Sequence, residues 1–299
     1  MENTVDAPTT DSALRVFELF HENSKQRQFD LEFGRRILLL NGNLAFHEVV
    51  SRTFKSYPGA EFILLPAVVP AEGPSFERVA ATRRSIRRFD GQPLSLRELA
   101  LLLYFGAGVT GRLDPSEHGI VQPVRAAPSG GALYPIEVYA AVMAVEGLEP
   151  GLYHYAVDRK GLELLRRANM VEHLCEATFD PATILGAAVV FVLTGVFGRS
   201  YFKYGERGYR FAMLEAGHMC QNVLLEATAL QIGAVAVGGF LDDKINEMIG
   251  LDGVDEAATY LIAAGRAATR HGAIAGSSEQ IVDRLLSALW ARATPIAGG

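Results

Sequence analysis

The chain has 299 residues, 49% of them from the AVILMFWYC set, enough for a sizeable core in one large domain or two small ones, so disorder is excluded as the main state. Its 28 Lys and Arg against 34 Asp and Glu give a formal net charge of -6, which excludes a global positive field for nucleic acid or acidic lipid; an anionic partner must be held locally. With Cys175 and Cys220 as the only cysteines there is no CxxC and no disulfide framework, and structural zinc held by cysteine is excluded; no metal is expected.

The first residues, Met1-Glu2-Asn3 with Asp6 and Asp11, lack the basic and apolar regions of a signal peptide. The longest charge-free apolar stretch, 184–198, is 15 residues long, against the roughly 20 that a spanning helix needs. A cytoplasmic protein is expected.

Residues 12–20 and 43–54 carry helical apolar spacing, with Asn43 a plausible cap. Pro66, Pro70, Gly73 and Pro74 then interrupt any regular helix and place a boundary near residue 74. We therefore expect a leading extension at 1–74, serving substrate binding or an interface, and a main domain at 75–299. Ser95-Leu96-Arg97-Glu98 is a capping box that opens an apolar helix through Phe105. Runs 136–145 and 186–196 are β-branched and of strand length, and 151–157 followed by 161–165 reads as a hairpin. A long helix is expected at 208–230, strands at 234–240 and 257–264, and a last helix at 278–292 opened by Ser277 and Ser278. The whole reads as α+β.

Gly106-Ala107-Gly108-Val109-Thr110-Gly111 is a literal GxGxxG. A dinucleotide site needs a strand before it and a helix after it; here a capped helix precedes and Arg112-Leu113-Asp114-Pro115 follows, so the motif reads as a loop ending a helix. His21-Glu22 and His47-Glu48 lack the second His of HExxH, and neither a P-loop nor GxSxG is present.

What remains is the basic cluster Arg83-Arg84-Ser85-Ile86-Arg87-Arg88, which is either a solvated face or, through its guanidinium forks and hydroxyl, a phosphate site. About 40 residues on, Pro128-Ser129-Gly130-Gly131-Ala132-Leu133-Tyr134-Pro135 precedes a strand; it is either a tight turn or a place where backbone amides approach a planar or anionic ligand. Gly238-Gly239 ends one strand and Gly265-Arg266 ends the last, adding bare amides and another guanidinium.

In this order, these residues resemble the FMN-dependent nitroreductase superfamily over about residues 75–268. The match is closest to the SagB-type dehydrogenases, the oxidases of thiazole- and oxazole-forming peptide biosynthesis and of peptide synthetases. Three segments carry that closer likeness: PSGGALYPIE, the run from Lys203 to Asn222, and FHENSK at 20–25. The resemblance implies a nitroreductase-like sandwich, a mainly antiparallel sheet with helices on both faces, in an interlocked homodimer built largely on the 208–230 helix. It also implies two FMN sites made from both chains. Arg83, Arg84, Ser85 and Arg87 are then expected on the ribityl phosphate and pyrimidine edge, with Arg266 closing on the phosphate. Pro128, Ser129, Gly130 and Gly131 are expected beside the isoalloxazine, and Gly238 and Gly239 at N5 and O4.

Lys203-Tyr204 resembles the Lys-Tyr pair of the peptide-oxidising members. Oxidising an azoline passes a hydride to flavin N5 and needs a base for the adjacent proton, a role that a desolvated Lys can fill. The alternative reading of Lys203 is one member of an exposed basic stretch with Arg199, Arg207 and Arg210. His218, Gln221 and Asn222 read as packing or inter-helix polar groups, and Met213, Met219 and Cys220 as core. The resemblance thus implies an FMN-dependent dehydrogenase acting on a peptide or carrier-bound azoline or similar C–N bond, reoxidised by O2, with a cyclodehydratase or synthetase as a candidate partner. The alternatives are an NAD(P)H-dependent nitro or quinone reductase and a catalytically silent flavin-binding scaffold.

Overall fold

The computed structural model describes residues 15–28, 30–68, 73–114 and 119–268, so the helix expected at 278–292 and residues 12–14 of the first one lie outside the described residues. The leading segment folds as α1 (Val16–Asn23), α2 (Leu31–Asn41), α3 (Leu44–Ser51) and strand β1 (Glu61–Leu64). Asn43 caps α3 as its sequence position predicts, its Oδ1 accepting from the Phe46 amide at 3.2 Å. Neither α2 nor β1 was legible: α2 buries no residue, and β1 is a four-residue edge strand.

Next come α4 (Phe76–Thr82), α5 (Leu96–Ala107), the ribbon of β2 (Val109–Leu113) with β3 (Gln122–Arg125), and β4 (Ile136–Val142). The hairpin β5 (Gly151–Ala156) and β6 (Gly161–Arg167) leads to α6 (Val171–Ala177) and β7 (Val189–Val196). The chain then continues through α7 (Phe197–Tyr204), α8 (Arg207–Ala229), β8 (Gly233–Val237), α9 (Asp242–Ile249) and β9 (Glu256–Gly265). The capping box is formed, with Ser95 Oγ accepting from the Glu98 amide at 3.2 Å and Glu98 Oε2 accepting from the Ser95 amide at 2.8 Å.

Seven strands form one sheet in the order β1-β6-β5-β4-β7-β9-β8, every neighbouring pair antiparallel. The apolar runs look continuous in sequence because both sheet faces are covered. On β7, Val189, Phe191 and Leu193 join the layer of α5 and α8, while Val190 and Val192 join that of α6 and α9. On β4 the same alternation divides Ile136, Val138 and Ala140 from Tyr139 and Ala141. The result is a three-layer α+β sandwich.

The glycines of the GxGxxG run serve packing: a Cβ on Gly106 would lie 2.7 Å from Val223 Cγ2, so Gly106 is what lets α5 approach α8. The strand β2 begins inside the run, at Val109, where a dinucleotide loop would lead into a helix. No helix among the described residues is long and apolar enough to cross a membrane, and no metal-holding His, Cys, Asp or Glu cluster is found among them.

Two polar networks cross the interior. Lys55 of the leading segment pairs with Glu256 and donates to Tyr139 Oη at 2.7 Å, while Tyr57 Oη lies 2.8 Å from the same hydroxyl, which fastens residues 55–57 to the sheet. In the second network, buried His154 lies between Glu163 (2.8 Å) and Glu137 (3.1 Å), and Arg199 reaches Glu137 Oε1 at 2.6 Å. Burial alone would raise the Glu137 carboxyl, but the hydrogen bond from His154 and the Arg199 cation outweigh it and hold it at about 2.

Glu215 on α8 has the opposite fate. It is 2% exposed, and burial pushes it up to about 7 despite the Ser129 hydroxyl and the Arg125 charge nearby. Below its ordinary value of 4.5 the carboxyl is neutral in both states. As the pH rises from there to about 7 the unfolded chain ionises first, so wild-type stability falls and levels off above 7. Glu215→Gln is expected to remove that loss, its advantage over wild type growing between those pH values to at most about 3 kcal/mol. Urea unfolding at a series of pH values checks this, and parallel profiles for the two proteins would refute it.

Candidate active site

α7 and the start of α8 gather the three segments on which the closer family likeness rests. The turn before β4 is a short 3-10 segment, Gly130–Ala132, with Gly131 at φ 67°. A Cβ on Gly131 would stand 2.5 Å from Tyr204 Oη and 3.3 Å from Lys203 Nζ, so the phenol and the amine converge on that α-carbon. Gly130 lies against the Phe211 ring of α8, where a Cβ would be 3.1 Å away. Ser129 Oγ accepts from the Tyr134 amide at 2.9 Å and tightens the turn, and Pro128 is exposed. From the leading segment, Ser24 Oγ accepts from Arg210 Nε at 2.8 Å and the His21 carbonyl from Arg210 Nη2 at 2.7 Å, which docks the FHENSK stretch onto α8.

The alternative reading of Lys203 as one member of an exposed basic stretch does not hold. Arg199 is bound to Glu137 and to the Tyr134 carbonyl (2.9 Å), and Arg207 and Arg210 reach the Ser24 region. Lys203 is only 7% exposed, lies 5.3 Å from the centre of the Phe46 ring, and donates to Asn41 Oδ1 at 2.8 Å. Its partner is a neutral amide, and burial lowers the ammonium from its usual range. Burial likewise raises the Tyr204 phenol. Burial thus moves both groups toward their neutral forms, and a neutral amine has a lone pair with which to accept a proton.

The second group stands at the other end of the sheet. Residues 83–89 run beside the start of β8, with the Ile86 amide donating to the Ala234 carbonyl at 3.0 Å, and Phe89 pairs with Ala267 just past β9. Arg84, Ser85, Arg87 and Arg88 are exposed and Arg83 is half-buried. Arg266 is brought to the same place, where it is paired with Glu98 of the capping box at 2.8 Å. This set of guanidinium forks and a hydroxyl has the donor chemistry of a phosphate site.

Gly238 and Gly239 sit at the opposite end of β8, roughly 16 Å away for a five-residue strand. Gly239 accepts from the Phe179 amide at 3.1 Å, and a Cβ on it would meet the Phe179 ring at 3.1 Å. That ring is 72% exposed. The β4 turn shares this end of the sheet, but β7 and β9 intervene, a lateral gap of roughly 14 Å. Within one chain, then, Lys203, Tyr204 and the 128–131 turn meet, and the arginines meet Arg266, but the two groups stay apart.

Sequence reasoning missed Asn41, Phe46, Phe179 and Glu215. Glu215 lies inside a segment already singled out, and an acidic residue in an apolar helix was the available signal. Asn41 had none, because its role depends on a contact across 162 positions.

The sequence pattern of the Nitroreductase family matches residues 80–266. Over 173 residues the chain is 36% identical to a nitroreductase-type protein of Methanocaldococcus jannaschii, covering 58% of this chain and 83% of that one. The microcin B17-processing protein McbC of Escherichia coli is 31% identical over 54% of this chain, and the trifolitoxin-processing protein TfxB of Rhizobium leguminosarum 28% over 69%. The matches span only 59% and 57% of those two proteins. Among solved structures, a nitroreductase-type protein from Anabaena variabilis has a TM-score of 0.65 at 27% identity, covering 84% of this chain and 47% of that one. The E. coli microcin synthetase McbBCD complex with truncated pro-MccB17 matches at TM-score 0.54 and 25% identity, over 86% of this chain and 99% of the matched one. The SagB-type likeness is borne out by the two peptide-processing relatives, and proteins of the family are generally flavin oxidoreductases. With a family pattern covering well over half its length and a sandwich of the same fold, the chain belongs to the nitroreductase family.

Proposed function

We propose that this chain is an FMN-dependent dehydrogenase that oxidises a thiazoline, an oxazoline or a similar C–N bond in a peptide or carrier-bound intermediate. The observation that carries the reading is the convergence of Lys203 Nζ and Tyr204 Oη on Gly131, with the amine buried against a neutral acceptor. Relatives that process microcin B17 and trifolitoxin support it. The likeness to a chain of a synthetase complex supports a cyclodehydratase or synthetase partner. The leading segment, 1–74, serves the substrate side of the site.

The residues present fit the cofactor. Arg83, Arg84, Ser85, Arg87 and Arg266 would hold its phosphate and pyrimidine edge, Gly238 and Gly239 would offer amides to the ring, and the 128–131 turn would flank it. Bound FMN supplies the two-electron acceptor, with O2 as the final oxidant. Lys203 takes the proton from the carbon beside the bond being oxidised, and Tyr204 orients the substrate or the amine. Because the arginine group and the Lys203 group lie at different places in one chain, the proposed site draws them from two chains of a homodimer.

The competing reading, an NAD(P)H-dependent reductase, gains weight from the M. jannaschii relative. Anaerobic mixing separates the two: rapid flavin bleaching by an azoline peptide, and not by NADPH, is the outcome our reading requires.

Lys203→Ala is expected to keep a full complement of FMN while substrate-driven flavin reduction falls by roughly 10²–10⁴. The wild-type rate should rise with pH through the Lys203 pKa, a limb absent in the variant; stopped-flow showing unchanged rates would overturn the assignment. Gly131→Ala should do similar damage through Tyr204, since its Cβ has no room and its φ is positive. Arg83→Ala should weaken FMN binding about tenfold or more, read by fluorescence titration. Light scattering should find no FMN-loaded monomer at micromolar concentration.

A further inference from the structure

Lys203 is held by a residue that the family-matched region does not contain. That region is 80–266, whereas Asn41 is the last residue of α2. The atom facing the amine is the amide oxygen, Asn41 Oδ1, which accepts from Lys203 Nζ at 2.8 Å. Asn41 is itself fixed: its carbonyl accepts from His47 Nε2 at 2.8 Å, and His47 Nδ1 accepts from Gln122 Nε2 at 3.0 Å, linking α2 through α3 to β3. Phe46, one residue before His47, lies against the same amine and stacks on Phe202 with ring centres 6.1 Å apart.

We infer that Asn41 is a positioning residue which, through its Oδ1, orients the Lys203 amine for proton abstraction and so makes the leading helices part of the catalytic site. The inference rests on Lys203 being the base. A neutral amine has two N–H donors and one lone pair. Donating one N–H to Asn41 fixes the rotation of Nζ and leaves the lone pair available above Gly131. A carboxylate in the same place would orient the amine equally well but would hold it protonated, which is why a neutral amide suits the task. The elements packed here carry Arg199, Tyr201 and Tyr204 on α7, Glu32, Arg35 and Arg36 on α2, His47 and Glu48 on α3, and Arg207, Arg210 and Glu215 on the first half of α8. Arg199 is already matched by Glu137.

Asn41 is exposed, so its substitution leaves the core intact. The test uses the full-length, flavin-loaded protein as wild type, Asn41→Asp and Asn41→Ala. Two profiles are recorded against pH: acetylation of Lys203 by trace acetic anhydride, read by mass spectrometry, and flavin reduction by a thiazoline-containing peptide. Asn41→Asp is expected to raise the midpoint of both profiles by about one pH unit. Asn41→Ala should lower the reduction rate roughly tenfold with FMN binding unchanged, because an unrestrained amine is misplaced more often. An acetylation midpoint that does not move in Asn41→Asp would overturn the inference. Movement of that midpoint with an unmoved reduction profile would uphold the contact and overturn Lys203 as the base.

Discussion

The Lys203 end of the molecule hangs from one buried ion pair, Arg199 with Glu137. Glu137 sits in β4 with its other oxygen on His154, and Arg199 also binds the Tyr134 carbonyl at the end of the glycine turn. One guanidinium therefore fixes three things at once: the strand, the turn and the first part of α7. Lys203 lies four residues later on the same helix, so its place over Gly131 follows from where Arg199 is anchored. Such a pair adds little net stability because both charges lose water, but removing one partner leaves a buried charge uncompensated, which strongly enforces this one arrangement.

Electrostatic contrast within a few residues organises the rest. Glu137 stays ionised because cations and a hydrogen-bonded imidazole surround it, whereas Glu215, also buried, rises to about 7 because burial outweighs the support it receives. Lys203 has no carboxylate partner and is lowered by burial. Burial therefore displaces both the second carboxylate and the lysine toward their neutral forms. The proposed proton abstraction requires such a displacement, since a base locked in its charged form has no lone pair to use.

The leading segment is integrated rather than appended. Lys55 and Tyr57 join the Tyr139–Glu256 network, β1 extends the main sheet, and Ser24 and His21 bind Arg210. Its helices expose large apolar side chains, Phe17 and Leu38 among them, while Asn41 and Phe46 reach the lysine.

Much of the main domain was legible in the sequence. The Ser95–Glu98 capping box, the 151–165 hairpin, the long α8 and the apolar strands follow from local signals whose meaning does not depend on the rest of the chain. The context around Gly106, a capped helix before it and Asp114-Pro115 after it, likewise speaks against a dinucleotide loop. The helix α2 stayed hidden because it buries nothing, and the short β1 because its pairing with β6 is long-range. By itself the sequence determined the α+β class, the family likeness and the residue types able to do the chemistry. Only tertiary structure decided that Arg199, Arg207 and Arg210 turn inward, that Lys203 faces a neutral amide from α2, and that the arginine group and the lysine group occupy different places on the sheet. The reason is physical: helix caps and turns are settled by neighbours in sequence, but burial, charge pairing and the depression of an amine's pKa depend on groups that meet only when strands far apart in the chain are brought into register.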